Sequence, residues 1–209
     1  MQTDPIRDAN KLQEIKANLR DDGRLRDLVV FSCGISWALR VSDLLALNVG
    51  HVMNGVGLRE SFAVRQKKTG APVRVDITNS CRETLLLYLG ERPSRGGHPA
   101  ADDPTAPLFP SKKHNPDGSL RPITRQQLAR IIRGACHEVD LLDGRWSTHT
   151  LRKTWGYHAY KLTKDIGGVQ HKLGHQSPAA TLKYLGLTDD HVRDLSERVD
   201  SALNGTETP

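Results

Sequence analysis

Residues 24–39 limit the folds open to this chain more than any other stretch. Leu25, Leu28, Val29, Ile35 and Leu39 recur at helical spacing, and Val30 and Phe31 fill another side. The pattern predicts a helix that is apolar nearly all round. Such a helix must lie inside a shell of other elements. A chain of 209 residues can supply that shell as one domain with a real core.

Most of the shell is predicted to be helical. Residues 8–20 carry Leu12, Ile15 and Leu19 on one stripe, and Gly23 breaks the pattern. Thr78 or Asn79 caps a helix through Leu85, Leu86, Leu87 and Leu89. Thr124 opens a helix to about Val139, with Leu128, Ile131, Ile132 and Ala135 inward and Arg125, Arg130 and Arg133 on its other faces. Further helices are expected at about 148–162, 165–173, 178–185 and 188–203.

The period changes once. Phe62, Val64, Val73, Val75 and Ile77 alternate with polar residues on either side of Lys67-Lys68-Thr69-Gly70-Ala71-Pro72, which predicts a β-hairpin. Residues 49–53 are expected to add a third strand, and 93–107 and 112–122 read as exposed loops. The expected fold is therefore mainly α (α+β). A helical domain spans residues 1–203 with a small antiparallel three-stranded sheet, and 204–209 form a disordered tail.

Lysine and arginine total 30 against 24 acidic residues, a formal charge of +6 and a pI near 9.4. That excess favours a polyanionic partner. An aromatic content of 5% argues against a base-stacking platform for single strands. Cys33, Cys81 and Cys136 are an odd count without CxxC spacing, which fits a reducing cytoplasm better than a disulfide framework. The first residues show no secretion signal, and no apolar segment is long enough to span a bilayer.

Several polar residues carry possible chemistry. His149 and Arg152 stand at i and i+3 and share a helix face, which taken alone is the pattern of an ordinary polar surface. Ser177-Pro178 starts a helix on which Leu182 and Leu185 can face the core while the Tyr184 hydroxyl leaves it. Lys68 sits at the hairpin tip. Arg40 follows the buried helix, either paired with Asp43 or aimed into a cleft. Ser42 is expected to cap the short turn that follows. His171 and His175 have the i, i+4 spacing of zinc helices, but the glutamate of HExxH is absent and Gly174 marks a helix end; no metal is expected.

Read in order, Arg40, Lys68, His149-x-x-Arg152, His175 and Tyr184 resemble the residue set of the tyrosine recombinase (phage integrase) family. The surrounding words match too. Ala38-Leu39-Arg40-Val41-Ser42-Asp43-Leu44-Leu45-Ala46-Leu47 looks like the first arginine box, Lys67-Lys68-Thr69-Gly70 like the hairpin lysine, and His149-Thr150-Leu151-Arg152 like the HxLR box. Leu173-Gly174-His175 and Thr181-Leu182-Lys183-Tyr184-Leu185 look like the last two. The likeness covers roughly residues 8–200. Trp37-Ala38 departs from the family's usual Thr-Gly before Leu-Arg. The family's N-terminal core-binding domain has no counterpart here, and the resemblance then implies either a fragment or a minimal member similar in size to the fimbrial phase-switch invertases.

What the resemblance implies is site-specific DNA breakage and rejoining through a covalent 3′-phosphotyrosine. Arg40 and Arg152 would clamp the phosphate, with His175 as a further donor. Tyr184 would be the nucleophile, His149 its proton acceptor and Lys68 the acid for the leaving 5′ oxygen. Neither a cofactor nor a metal is implied. The partner is double-stranded DNA, and the assembly a homo-tetramer that exchanges its C-terminal helix. Arg65, Lys67, Arg74, Lys112, Lys113, Arg121, Arg125 and Lys153 are the candidate phosphate contacts. Two other readings share these residues: a topoisomerase-like enzyme that reseals one duplex, and a DNA-binding regulator that has lost catalysis.

Overall fold

The computed structural model describes residues 3–55, 57–90 and 103–204. The chain divides into two compact units, Met1–Trp155 and Gly156–Pro209. The last part of the predicted 93–107 loop is described; residues 93–102, and the tail beyond 204, lie outside the described residues.

The first unit is built around α2 (Leu25–Trp37). Val29, Val30, Phe31 and Cys33 are fully buried there, as the all-round apolar pattern requires. Helix α1 (Ala9–Asp21) lays Leu12, Ile15 and Leu19 against α2, and the Asp8 carboxylate caps it by accepting from the Asn10 N–H at 2.8 Å. Two single turns follow, α3 (Val41–Leu44) and α4 (Val49–Val52). Helix α5 (Asn79–Gly90) packs closely on α2 through Cys81, Leu85 and Tyr88. Helix α6 (Arg125–His137) starts at a reciprocal cap between Thr124 and Gln127 and buries Leu128, Ile132, Ala135 and Cys136.

The sheet differs from the expectation. Instead of one three-stranded sheet there are three two-stranded antiparallel ones among the described residues. Residues 49–52 form a helical turn with Asn48 at its N-cap, where the Asn48 N–H donates to the His51 Nδ1 at 3.2 Å and the His51 N–H returns to the Asn48 carbonyl at 3.0 Å. Only β1 (Met53–Asn54) remains to pair, and it pairs with β2 (Gly57–Leu58). The predicted hairpin is present as β3 (Ser61–Arg65) and β4 (Pro72–Asp76). Phe62, Val64 and Val75 point inward, while Arg65 and Arg74 share the exposed face. A further hairpin, β5 (Pro110–His114) with β6 (Leu120–Pro122), occupies the segment read as a loop. Its turn closes with Asn115 N–H donating to Ser119 at 2.9 Å and Gly118 at φ 82°. Lys112, Lys113 and His114 are all exposed, so this strand lacks the apolar alternation by which strands are read.

The helix α7 (Thr148–Thr163) opens in the first unit and ends in the second. The second unit continues with α8 (Ile166–Leu173), α9 (Pro178–Leu185) and α10 (Thr188–Leu203). Gly156 admits α8 and α9 closely: a Cβ there would meet Leu185 Cδ2 at 2.7 Å and Leu173 Cδ1 at 3.1 Å. Leu185 is fully buried but Leu182 only half, so the inward face of α9 is Thr181 and Leu185 rather than Leu182 and Leu185. No helix among the described residues is long and apolar enough to cross a membrane.

Candidate active site

In the first unit, three elements present the predicted cations. The turn after α2 is the first. The helix stops at Trp37 because Ala38 takes the left-handed conformation, φ 51° and ψ 29°, normally left to glycine. Arg40 therefore lies beyond the helix, at the N-cap position of α3, and its carbonyl accepts from the Asp43 and Leu44 amides at 2.9 Å. Ser42 sits inside this turn rather than capping it. The Arg40 guanidinium donates to the side-chain oxygen of Gln66, not to Asp43. Asp43 is buried and instead accepts the Lys67 backbone N–H at 3.0 Å and the Ser42 hydroxyl at 3.3 Å.

The second element is the β3–β4 hairpin. Gln66 is only 6% exposed and holds both Arg40 and the Thr69 hydroxyl, the latter at 2.9 Å. Gly70 at φ 69° closes the turn on the Gln66 carbonyl, which leaves Lys68 exposed at the tip. Gln66 and Asp43 thus tie the Arg40 turn to the Lys68 turn. The sequence reading does not single out Gln66, although it stands two residues before Lys68, and it names Asp43 only as a partner for Arg40.

The third element is the start of α7. Ser147 and Thr150 cap it, with Ser147 N–H donating to the Thr150 hydroxyl at 3.0 Å and His149 N–H to the Ser147 hydroxyl at 3.2 Å. One turn on, the buried Arg152 donates a 2.5 Å hydrogen bond to the Ala38 carbonyl. The two arginines are thereby tied to the same short turn. Arg125 reaches the His149 Nε2 at 3.5 Å. Partial burial, then the charges of Arg125, Arg152 and Lys153, hold the His149 imidazole below its ordinary pKa.

In the second unit, Gly174 ends α8 in the left-handed region at φ 56°. Its N–H and that of His175 return to the carbonyls of His171 and Gln170, so the glycine fixes where His175 leaves the helix. The His175 Nδ1 stands 3.2 Å from the Thr181 hydroxyl, which itself bonds the Ser177 carbonyl at 3.1 Å. A carbonyl only accepts, so Thr181 donates to Ser177 and receives the proton on His175 Nδ1. The Ser177 hydroxyl caps α9 by accepting the Ala180 N–H at 3.1 Å. Tyr184 packs against His175 edge to face, with ring centroids 4.8 Å apart. The ring is half-buried and its hydroxyl oxygen is shielded from solvent, where the sequence reading sends it outward.

Of the candidate DNA contacts, Arg65, Lys67, Arg74, Lys112, Lys113 and Arg125 are exposed and Arg121 is half-buried. Arg74 is engaged by Asp76 at 3.2 Å. Lys153, on α7, is 3% exposed, its charge opposed by burial and favoured by Asp4.

The fold is one found in tyrosine recombinases. Residues 7–191 match the phage integrase family, and the chain belongs to it. It is similar to the probable integrase/recombinase YoeC of Bacillus subtilis, 34% identical over 189 residues, 90% of this chain and 92% of that one. It is also similar to tyrosine recombinase XerC of Herpetosiphon aurantiacus, 26% identical over 90% of this chain but 56% of that one. The chain thus spans about half the length of its XerC relative. Among solved structures, XerA recombinase has a TM-score of 0.65 at 21% identity, covering 91% of this chain and 61% of that one. XerH bound to palindromic difH has 0.66 at 17% identity, covering 94% and 53%.

Proposed function

We propose that this chain breaks and rejoins duplex DNA at specific sites through a covalent bond between Tyr184 and a 3′ phosphate. The observation that carries the reading is the bridge from Arg152 to the Ala38 carbonyl and from Arg40 to Gln66, which gathers two guanidiniums and the Lys68 turn in one region of the first unit. A phosphodiester resists attack because its charge repels nucleophiles and its alkoxide leaves poorly. Arg40 and Arg152 would neutralise the pentacoordinate phosphate. At an effective dielectric near 20, a charge pair about 4 Å apart is worth about 4 kcal/mol. That is roughly three decades of rate per arginine if all of it is realised in the transition state.

Neutral His149 takes the Tyr184 proton, directly or by relay, as the phenol attacks. Lys68 gives a proton to the departing 5′ oxygen. His175, its Nδ1 proton held by Thr181, donates to the phosphate from Nε2 when doubly protonated. The bond energy stays in the phosphotyrosine, so a 5′ hydroxyl of another strand reverses the step. Because the Tyr184 hydroxyl is shielded here, attack requires α9 to present it to the DNA.

Joining two duplexes calls for several copies. Helix α10 exposes Val192, Leu195, Val199 and Leu203 along one stripe, an apolar face suited to a neighbouring protomer and to a homo-tetramer on DNA. Three free, buried cysteines fit a reducing, cytoplasmic setting. The deciding experiment offers the protein a nicked suicide site. A protein–DNA adduct that survives denaturant is expected with the native chain and not with Tyr184→Phe. An adduct of equal yield from both proteins would remove Tyr184 as nucleophile.

A further inference from the structure

Arg40 is half-buried, yet it makes no ion pair among the described residues. The carboxylate nearest to it along the chain, Asp43, is engaged elsewhere. One Asp43 oxygen accepts the Lys67 N–H at 3.0 Å and the Ser42 hydroxyl at 3.3 Å, and the other is buried without a hydrogen-bond partner among the described residues. Arg40 turns instead to a neutral group, the Gln66 side chain. A guanidinium only donates, so the atom it meets is the amide oxygen. The same oxygen accepts the Thr69 hydroxyl at 2.9 Å.

Gln66 is itself held. Its N–H donates to the Ala71 carbonyl at 2.9 Å and its carbonyl accepts the Gly70 N–H at 2.8 Å, so the loop that carries Lys68 closes on this one residue. A buried side chain fixed this way can orient what it touches. The choice of an amide has a consequence for charge. A carboxylate of the same length would accept the same two bonds more strongly. It would also set a negative charge against Arg40 and cancel much of the attraction that an incoming phosphate meets. The amide supplies direction without a countercharge.

We propose that Gln66 is a positioning residue for phosphate binding: a neutral acceptor that aims Arg40 from the Lys68 loop and leaves the arginine's charge whole for the anion. This rests on the proposed function, in which Arg40 neutralises the pentacoordinate phosphate. Gln66 touches no reacting atom. It acts through Arg40, and through the Thr69 hydroxyl it ties the aim of that arginine to the turn one residue after Lys68.

The test compares Gln66→Glu with Gln66→Met in single-turnover cleavage of the nicked suicide site at saturating DNA. Glutamate keeps the length, the shape and both accepted bonds. A residue that only braced the hairpin would therefore tolerate glutamate and suffer from methionine. A charge-sparing amide reverses that order. Methionine leaves Arg40 charged but unaimed and should slow cleavage about tenfold, whereas glutamate should slow it about 10²-fold, the scale of losing a preorganised donor. In the Arg40→Ala background the glutamate effect should shrink below about twofold, since no guanidinium remains to neutralise. Glutamate as active as the native chain, methionine the more damaging of the two, or equal glutamate losses in both backgrounds would overturn the role of Gln66. A native chain that forms no adduct would overturn the proposed function instead, and a second measurement then decides on Gln66 without cleavage. Inorganic sulfate titrated into the ¹⁵N-labelled full chain should shift the Arg40 Nε–H signal, and Gln66→Glu should weaken that binding at least about fivefold. A native Arg40 signal that ignores sulfate, or equal binding by both proteins, would sink the idea.

Discussion

Arg152 donates a 2.5 Å hydrogen bond to the carbonyl of Ala38, a residue held in the left-handed region two positions before Arg40. One arginine thus braces the turn that carries the other. The brace and the strained residue are one device, and each makes a prediction.

The left-handed turn is tested by Ala38→Val. A β-branched residue is poorly tolerated at φ 51°, so a loss of about 2 kcal/mol in denaturant unfolding is expected. Ala38→Gly should lie within about 0.5 kcal/mol of the native chain, since relief of strain is offset by unfolded-state entropy. A valine variant as stable as the native protein would mean that the turn is not left-handed.

Arg152→Lys keeps the charge but loses the planar fork, so it cannot hold the Ala38 carbonyl and grip a phosphate at once. Covalent adduct formation should fall by about 10²–10³-fold, the cost of one preorganised donor. A loss below about threefold in single-turnover cleavage would place Arg152 outside the transition state.

Lys68→Ala should slow cleavage when the leaving group is an ordinary 5′ oxygen. A 5′-thio bridging substrate, whose leaving group needs no acid, should restore the rate. Failure of that rescue, at equal DNA binding, would take the acid role away from Lys68.

The pH profile follows from His149. Its folded pKa lies below the ordinary 6.5, so the neutral, proton-accepting form persists below that pH. The acid limb of single-turnover cleavage should fall below pH 6.5 and vanish in His149→Gln. The stability contribution has the same sense. It is fully present above pH 6.5 and is lost as pH falls through the lowered folded value. An acid limb at or above 6.5 that is also absent from the variant would contradict the assignment.

The exposed stripe on α10 predicts a separation of functions. Leu195→Asp, at a position 53% exposed, should leave thermal unfolding within about 0.5 kcal/mol of the native chain. It should reduce higher-order complexes on DNA in sedimentation while single-site cleavage persists. Unaltered assembly would mean that another surface joins the protomers.

The chain announced its helices where apolar spacing was strong: α1, α2 and α6 lie within a residue or two of their predicted spans, and the β3–β4 hairpin flanks the expected 67–72 turn. It concealed the β5–β6 hairpin, because Lys112, Lys113 and His114 are solvated and carry no alternation. It also suggested a strand at 49–53, where the cap at Asn48 makes a helical turn instead.

The cations, the tyrosine and their order along the chain belong to the sequence, because residue identity and local spacing are enough to specify them. Tertiary structure decided who holds them. Gln66 rather than Asp43 meets Arg40, Thr181 orients His175, and Lys153 faces inward beside Asp4. These partners lie far apart along the chain or depend on which side of a helix is covered. Only packing, which buries one face and leaves the other in water, could select them.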